Sequence, residues 1–443
     1  MDQAVNPIQE ILRRRGCGEL SGVYSCCSAN EYVLRAAMRR AKRAGQIVLI
    51  ESTANQVDQF GGYTGMKPTD FMRFVRELAE QEQFPQERLL LGGDHLGPLT
   101  WRTLPAEQAM ENAKTLVRAY VLAGYEKIHL DTSMRLGDDS RETRLPDSVI
   151  AQRGATLCRV AEDAYRERLA RGERAVPPVY VIGSEVPVPG GAEENEDSVA
   201  VTDPADCLAT VRTFRETFAA FGLDEVWQRV IAIVVQPGVE FADQTVLGYD
   251  RAAAAQLTAT REKLDGMVFE GHSTDYQTRD ALRNMVDDGI AILKVGPALT
   301  FALREALFSL ELIEKELAPL YNWHRSELRS VMDSVMLEEP SRWDKYYHGS
   351  EAYRSFARAF SYSDRIRYYL PDPRIQEATE RLLQNLRSAE IPLALLMQYM
   401  PVQYEAVRSG AVGNDAQALL IDHIGDRIDD YLYAITREPI CMN

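Results

Sequence analysis

The sequence has little of what would carry it out of the cell or onto nucleic acid. Its six cysteines, at 17, 26, 27, 158, 207 and 441, form no CxxC pair and no even framework of spacings, so a disulfide scaffold and a zinc ribbon are excluded. Reduced thiols are expected. Cys26 and Cys27 are neighbours on a predicted strand and face opposite sides, which favours packing over joint metal binding. Basic charge is also short: 50 Lys and Arg face 66 Asp and Glu, a net charge of −16 that repels a phosphate backbone. No nucleic-acid partner is expected. The longest aliphatic run, 230–235, is far below a membrane span, and the first twenty residues are polar and Arg-rich, so the expected location is cytoplasmic, with no membrane partner. No Walker A pattern occurs, and the glycines of Gly61-Gly-Tyr-Thr-Gly65 lack the spacing of a nucleotide fingerprint, so no nucleotide cofactor is expected.

What is present is a long chain of 443 residues with an ordinary 45% hydrophobic content, enough for a barrel-sized unit and an appendage. Short apolar runs recur at 22–27, 46–51, 89–95, 127–131, 179–185, 230–236, 266–272 and 290–294, each followed by helical periodicity. The punctuation agrees: Ser28 and Glu31 read as a capping box, Gly45 and Gly124 as helix ends, and Pro68 as a helix start. Eight buried strands alternating with helices predict a (β/α)8 barrel, with an open doubly wound sheet as the alternative. After Arg304 only helical patterns follow, as in 302–317, 375–386 and 416–435. The predicted division is therefore a barrel over 1–304 and a helical region over 305–443. Eleven of the 20 tyrosines fall in that region, which suits either a subunit interface, and so a homo-oligomer, or plain helix packing. An acidic loop is expected at 192–197.

The predicted strands end in polar residues: Glu51, Asp94, His95, Asp131, Glu185, Gln236, Glu270, His272 and Lys294. In a barrel these share the C-terminal rim, where active sites lie. Asp94 and His95 follow a double glycine that lets the backbone bend, so one can bind metal while the other moves protons. His272 is the natural second imidazole for the same cation. Glu185, before the stiff loop 186–191, reads as a metal ligand or base, or as a rim ion pair. Glu51 and Asp131 are further catalytic carboxylates. His129, two residues before Asp131, shares its inward face, where layer packing could absorb it. Lys294 with the turn at Gly296 suits a phosphate; the same lysine could form a Schiff base or a structural ion pair. Arg365 and Arg367, two residues apart, suit bidentate phosphate capture or a solvated helix face.

The strings Asn55-Gln-Val-Asp-Gln-Phe-Gly-Gly-Tyr-Thr-Gly65, Leu91-Gly-Gly-Asp-His-Leu-Gly-Pro98 and Val235-Gln-Pro-Gly-Val-Glu-Phe241 recur in one family. With Gly271-His-Ser-Thr-Asp-Tyr-Gln-Thr278, Ile292-Leu-Lys-Val-Gly-Pro-Ala-Leu-Thr-Phe301 and Ser363-Asp-Arg-Ile-Arg-Tyr-Tyr369, the chain resembles the Z-subunit family of tagatose-bisphosphate aldolase. The resemblance covers nearly the whole chain. It implies a barrel of the class II aldolase superfamily tied to galactitol, N-acetylgalactosamine or tagatose catabolism. It also implies a divided role: some members stabilise a separate catalytic aldolase subunit, some carry the label tagatose 6-phosphate kinase, and some are similar to enzymes epimerising tagatose 6-phosphate to fructose 6-phosphate. On this resemblance Asp94 matches the base and His95 and His272 match zinc ligands. The third histidine is expected near the sixth strand, where the chain has Gln236, so Glu185 or Gln236 substitutes, or the chain is an accessory subunit. The implied cofactor is Zn2+ or Mn2+, the implied substrate a ketose phosphate bound with help from Gln236, Ser273, Asp275, Lys294, Gly296, Arg365 and Arg367.

Overall fold

The structure is a computed structural model that describes residues 5–15, 21–140, 142, 144–186 and 199–436. Cys17, Cys441, most of the loop 186–191 and the acidic stretch 192–197 lie outside the described residues. Eight strands are buried on both faces: β1 (Val23–Cys26), β2 (Val48–Thr53), β3 (Leu89–Leu96), β4 (Lys127–Leu130), β5 (Val179–Ile182), β6 (Val230–Val235), β7 (Val268–Gly271) and β8 (Ile290–Val295). Each pairs in parallel with the next, and β1 pairs with β8 to close the barrel. Closure leaves no strand edge without partners, which is why the runs are continuous apolar segments and not polar alternations. A two-stranded ribbon, Glu240–Phe241 with Val246–Leu247, follows β6.

A helix follows every strand: Glu31–Ala44, Pro68–Gln81, Ala106–Ala123, Asp147–Ala170, Pro204–Ala220, Arg251–Ala259, Arg279–Asp288 and Pro297–Tyr321. Gly45 and Gly124 end two of them in left-handed conformation, with φ of 67° and 102°, as their spacing predicts. The first of these helices is capped by Asn30, not by Ser28: the Asn30 side chain accepts from the N–H of Tyr32 at 3.0 Å, while Ser28 Oγ accepts from Asn30 N–H. Asparagine at the position directly before the helix is the better placed acceptor, so the pattern was displaced by two residues.

The barrel interior is aliphatic below and ionic above. Leu49, Leu90, Val179, Val181, Ile231, Val268 and Ile292 fill the lower half, and Ile8 and Leu12 of the short helix Pro7–Arg13 close the bottom. Asn6 anchors that helix by donating to Glu126 O and Pro177 O at 3.0 and 3.2 Å, at the entries to β4 and β5. The polar strand ends are thereby left to the opposite, C-terminal rim.

Beyond Tyr321 the described chain is helical, with Leu328–Glu338, Glu351–Phe360, Pro373–Arg387, Leu393–Tyr399, Pro401–Arg408 and Ala416–Ile435. The last helix returns to the barrel wall and packs on Glu31–Ala44, Arg279–Asp288 and Pro297–Tyr321. Arg40 binds it through Asp422, Asp429 and Asp426 at 2.9, 3.0 and 3.3 Å. Gly425 makes this possible, since a Cβ there would lie 2.4 Å from Arg40 Nε. Among the described residues, no helix is long and apolar enough to cross a membrane.

Candidate active site at the barrel mouth

The site is built by period-two spacing on four strands. Lys127, His129 and Asp131 point inward from β4 and its end, Glu270 and His272 from β7, Glu51 from β2 and Lys294 from β8. All seven are buried. Glu51, Gly92 and Lys127 are register partners on three successive strands. Because Gly92 has no side chain, the Glu51 carboxylate crosses β3 and meets Lys127 Nζ at 2.7 Å; a Cβ at Gly92 would lie 2.5 Å from Glu51 Oε1. The first glycine of the pair makes room and does not bend the chain.

The bend comes one step later. His95 has φ of 49°, and the β3–β4 register shifts between Gly93 and Leu96. Successive strand residues normally face opposite sides, and this irregularity turns both Asp94 and His95 toward the mouth. A non-glycine residue in the left-handed region is strained, and such strain collects at functional sites.

Three imidazoles meet there. The ring centroids of His95, His129 and His272 are 4.9 to 5.2 Å apart. His95 Nδ1 lies 2.8 Å from Asp131 Oδ2, which fixes the ring and turns Nε2 toward Asp94 at 3.7 Å. His129 Nδ1 lies 2.8 Å from Asp94 Oδ1, while its Nε2 is buried without a hydrogen-bond partner. His272 Nε2 lies 3.1 Å from Glu270 Oε1. The third imidazole is therefore on β4, not near β6.

Carboxylates and ammonium groups are packed together here. Lys127 bridges Glu51 and Glu270, each at 2.7 Å, and Lys294 contacts Glu51, Asp94 at 2.7 Å and Glu270 at 3.7 Å. With Asp131, four carboxylates face two ammonium groups. Burial alone would raise the Asp94 carboxyl, but His95, Lys294, His129 and His272 hold it well below the usual range. Burial opposes charging Lys294, yet Asp94, Glu51 and Glu270 hold its ammonium form firmly. A Schiff base needs the opposite, a lowered amine, so Lys294 is an ion-pair centre here. His272 is pushed down to about 4 by burial and is neutral. For His95, burial is outweighed by Asp94 and Asp131, which raise it.

The cluster also carries the donor set of a divalent cation. Asp94, His129, Glu270 and His272 each offer a donor atom, all within 4.8 Å of one another. His129 Nε2 is buried without a partner, as a nitrogen aimed at a metal would be, and Asp131 behind His95 orients that ring.

The cavity above the cluster measures about 80 Å3 and is lined by Asp94, His95, His272, Ser273, Asp275, Lys294 and Gly296, with Cys27, Gln56, Tyr63, Phe241, Arg367 and Tyr368. A larger cavity of about 610 Å3 shares Cys27, Gln56, Tyr63 and Arg367 with it. Several residues singled out in the sequence lie elsewhere. Glu185 accepts from Thr202 Oγ1 at 2.8 Å and pairs with Arg144 at 3.4 Å, outside the cluster, because β5 ends three residues before it. Gln236 caps its own turn, its Oε1 accepting from the N–H of Gly238 and Val239 at 2.9 and 3.0 Å. Arg365 is buried, donates to Arg342 O at 2.7 Å and stacks on Tyr346 and Tyr368 at 3.8 and 4.4 Å; only Arg367 lines the cavity. The N–H groups of Gly296 and Ala298, the expected phosphate seat, are taken by Asp275 Oδ1 at 3.0 and 2.8 Å.

Lys127, Cys27, Tyr63 and Tyr368 were not singled out by sequence. The signal for Lys127 was there: it stands two residues before His129 on the same face, and a charge inside an otherwise apolar strand needs a buried partner. Cys27 follows the end of β1 beside Glu51 and Asp94, where a lone thiol in a sequence carries no such signal.

A closed parallel barrel with an imidazole and carboxylate cluster at its C-terminal rim defines the class: a (β/α)8-barrel protein with a polar site at the barrel mouth. The chain belongs to the D-tagatose-1,6-bisphosphate aldolase subunit GatZ/KbaZ-like family, which it matches over residues 8–436. It is similar to a Sinorhizobium meliloti 1021 protein described as a probable tagatose 6 phosphate kinase, at 47% identity and a TM-score of 0.84, covering 93% of this chain and 100% of that one. More distant are the fructuronate-tagaturonate epimerase UxaE from Cohnella laeviribosi (14% identity, TM-score 0.47, 94% and 82% covered) and the YdjI aldolase from Escherichia coli K12 (11%, 0.41, 87% and 97%).

Proposed function

We propose that the chain cleaves and re-forms the C3–C4 bond of a ketohexose phosphate, with the 4-epimerisation of D-tagatose 6-phosphate to D-fructose 6-phosphate as net reaction. The observation that carries this reading is the trio of imidazoles beside Asp94 at a mouth rich in carboxylates. Membership in the family and likeness to a protein described by tagatose 6-phosphate support the sugar.

His129, His272 and Glu270 would hold a divalent cation, Zn2+ or Mn2+, with His95 beside them and Asp94 free to act as base. Bound there, such a cation supplies Lewis-acid polarisation of the substrate carbonyl. The chain's own groups do the rest. Asp94 is ionised at neutral pH and takes the proton of the C4 hydroxyl. As the C3–C4 bond breaks, the aldehyde leaves with C4 and the electron pair stays on C3 as an enolate, near the Lys294 ammonium. Asp131 holds the His95 ring in place, and Arg367, the cation lining both cavities, receives the phosphate. Rotation of the aldehyde before re-addition inverts C4. Neither nucleotide nor redox chemistry is needed.

The second reading, a non-catalytic subunit that stabilises a separate aldolase, is favoured by the family's description as an aldolase subunit. The chain purified alone separates the two. Metal-dependent conversion of tagatose 6-phosphate that is lost on chelation and in Asp94→Asn supports catalysis. No turnover, together with stabilisation of a separate aldolase on mixing, supports the subunit role.

A further inference from the structure

Inverting C4 by cleavage and re-addition turns the aldehyde over, so the C4 oxygen faces different walls before and after. A single fixed base at the end of β3 serves only one of these positions. We propose that Tyr368 is the second proton-transfer residue, its phenol serving the C4 oxygen of the epimer that Asp94 does not reach; this rests on the reaction proposed above.

Tyr368 enters the cavity from the helical extension, on the short turn Arg365–Tyr368, and lines it together with Asp94, His95, His272 and Lys294. Three guanidinium groups surround the ring. Arg365, Arg367 and Arg342 lie 4.4, 4.5 and 5.8 Å from its centroid, and Arg367 Nη2 donates to its hydroxyl at 3.1 Å. A phenol ringed by cations gives up its proton more readily than an ordinary tyrosine. Burial opposes this, but Arg367, Arg365 and Arg342 prevail and bring the hydroxyl down to about 8.

The other protic groups of the cavity are poor rivals. Tyr63, packed on Tyr368 at 4.9 Å, is pushed up to about 12 by burial. Burial likewise raises the Cys27 thiol. Asp275 is raised to about 6 by burial, but its Oδ1 is engaged by the N–H groups of Gly296 and Ala298. Of the phenols and the thiol that line the cavity, Tyr368 is the one whose cationic neighbours fit a group working near neutral pH.

The step balances without a co-reactant. Asp94 accepts the C4 hydroxyl proton as the C3–C4 bond breaks, and C3 keeps the electron pair. After the aldehyde rotates about C4–C5, C3 attacks its other face and the C4 oxygen takes the Tyr368 proton. The phenolate left behind is stabilised by its guanidinium neighbours and regains a proton from water, while Asp94 returns one to water. In the reverse direction the two groups exchange roles.

The test uses the purified, metal-restored full chain and follows tagatose 6-phosphate, fructose 6-phosphate and slow release of glyceraldehyde 3-phosphate. Tyr368→Phe is expected to lose about 10²-fold or more of the epimerisation while keeping its melting midpoint and its triose release, because cleavage relies on Asp94. Tyr368→3-fluorotyrosine, with a more acidic phenol, is expected to move the alkaline limb of the pH profile to lower pH. A role in packing alone moves no such limb. Conversion within a few-fold of wild type in Tyr368→Phe, joint loss of conversion and triose release, or an unmoved limb each overturns the inference and leaves the proposed reaction standing. A wild-type chain that converts nothing overturns the reaction itself, and this inference with it.

Discussion

Replacing Lys127 by methionine tests whether the barrel's ionic upper half is one interdependent unit. Lys127, Glu51 and Glu270 have no exposed side-chain surface, and the ammonium is 2.7 Å from both carboxylates. Lys127→Met fills the same space but leaves two buried carboxylates that share only Lys294, which is 3.7 Å from Glu270. Removing one partner of a buried ion pair costs about 3–5 kcal/mol, because the remaining charge has neither water nor a counter-ion. We expect a loss of that size, read from the urea midpoint at unchanged slope. The sign with pH follows. Burial works to raise Glu270, and Lys127, Lys294 and His272 pull it well below its usual range. Without Lys127 its folded-state affinity for a proton increases, so the deficit of the variant shrinks as pH falls. Adding Glu270→Gln to Lys127→Met is expected to recover part of the loss by removing one stranded charge. A single variant within about 1 kcal/mol of wild type would refute the reasoning, since that is the scale of an exposed pair.

Three further outcomes follow from the same geometry. His129→Ala is expected to reduce turnover at least about 10²-fold with little loss of fold, whereas Glu185→Gln and Gln236→Ala retain most activity; the steady-state rates of the three decide. Gly92→Ala places a Cβ 2.5 Å from Glu51 Oε1 and should destabilise by about 1–3 kcal/mol in urea unfolding, while Gly45→Ala, which meets nothing within 4 Å, costs only its left-handed φ. Asp275 is raised to about 6, chiefly by burial, against about 3.9 unfolded. Its stabilising contribution is therefore full below the unfolded value and is lost as pH rises through 6, a change of about 3 kcal/mol. Asp275→Asn keeps an acceptor for Gly296 and Ala298, so its stability relative to wild type should rise between pH 4 and 7 in chemical unfolding.

The barrel was legible because each strand is a short apolar run and each helix carries its own stop or start, as at Gly45, Gly124 and Pro68. The polar ends of the strands pointed to the rim for the same reason. What distinguishes residues at that rim is not visible in composition. Gln236 directly follows β6 and Glu185 lies three residues beyond β5, so turn chemistry diverts one and early strand termination the other. His129 lay on a face that sequence could assign either to a packed layer or to the site, and only closure of the barrel brings it within 5.2 Å of His95 and His272. The contribution of the extension was partly readable in Ser363 to Tyr369. That Arg367 and Tyr368 reach the mouth while Arg365 is buried beneath them depends on a turn started by Asp364 at φ of 43°, where Thr300 and Arg304 hold its carboxylate.

The central claim is that His129, His272 and Glu270 form one metal site at the barrel mouth, beside Asp94. Titrating the chelator-stripped chain with Co2+ and reading the visible absorption measures it directly. The account predicts one ion per chain, with binding lost in His129→Ala and His272→Ala and kept in Glu185→Gln. No bound ion, or loss in Glu185→Gln with retention in His129→Ala, would contradict it.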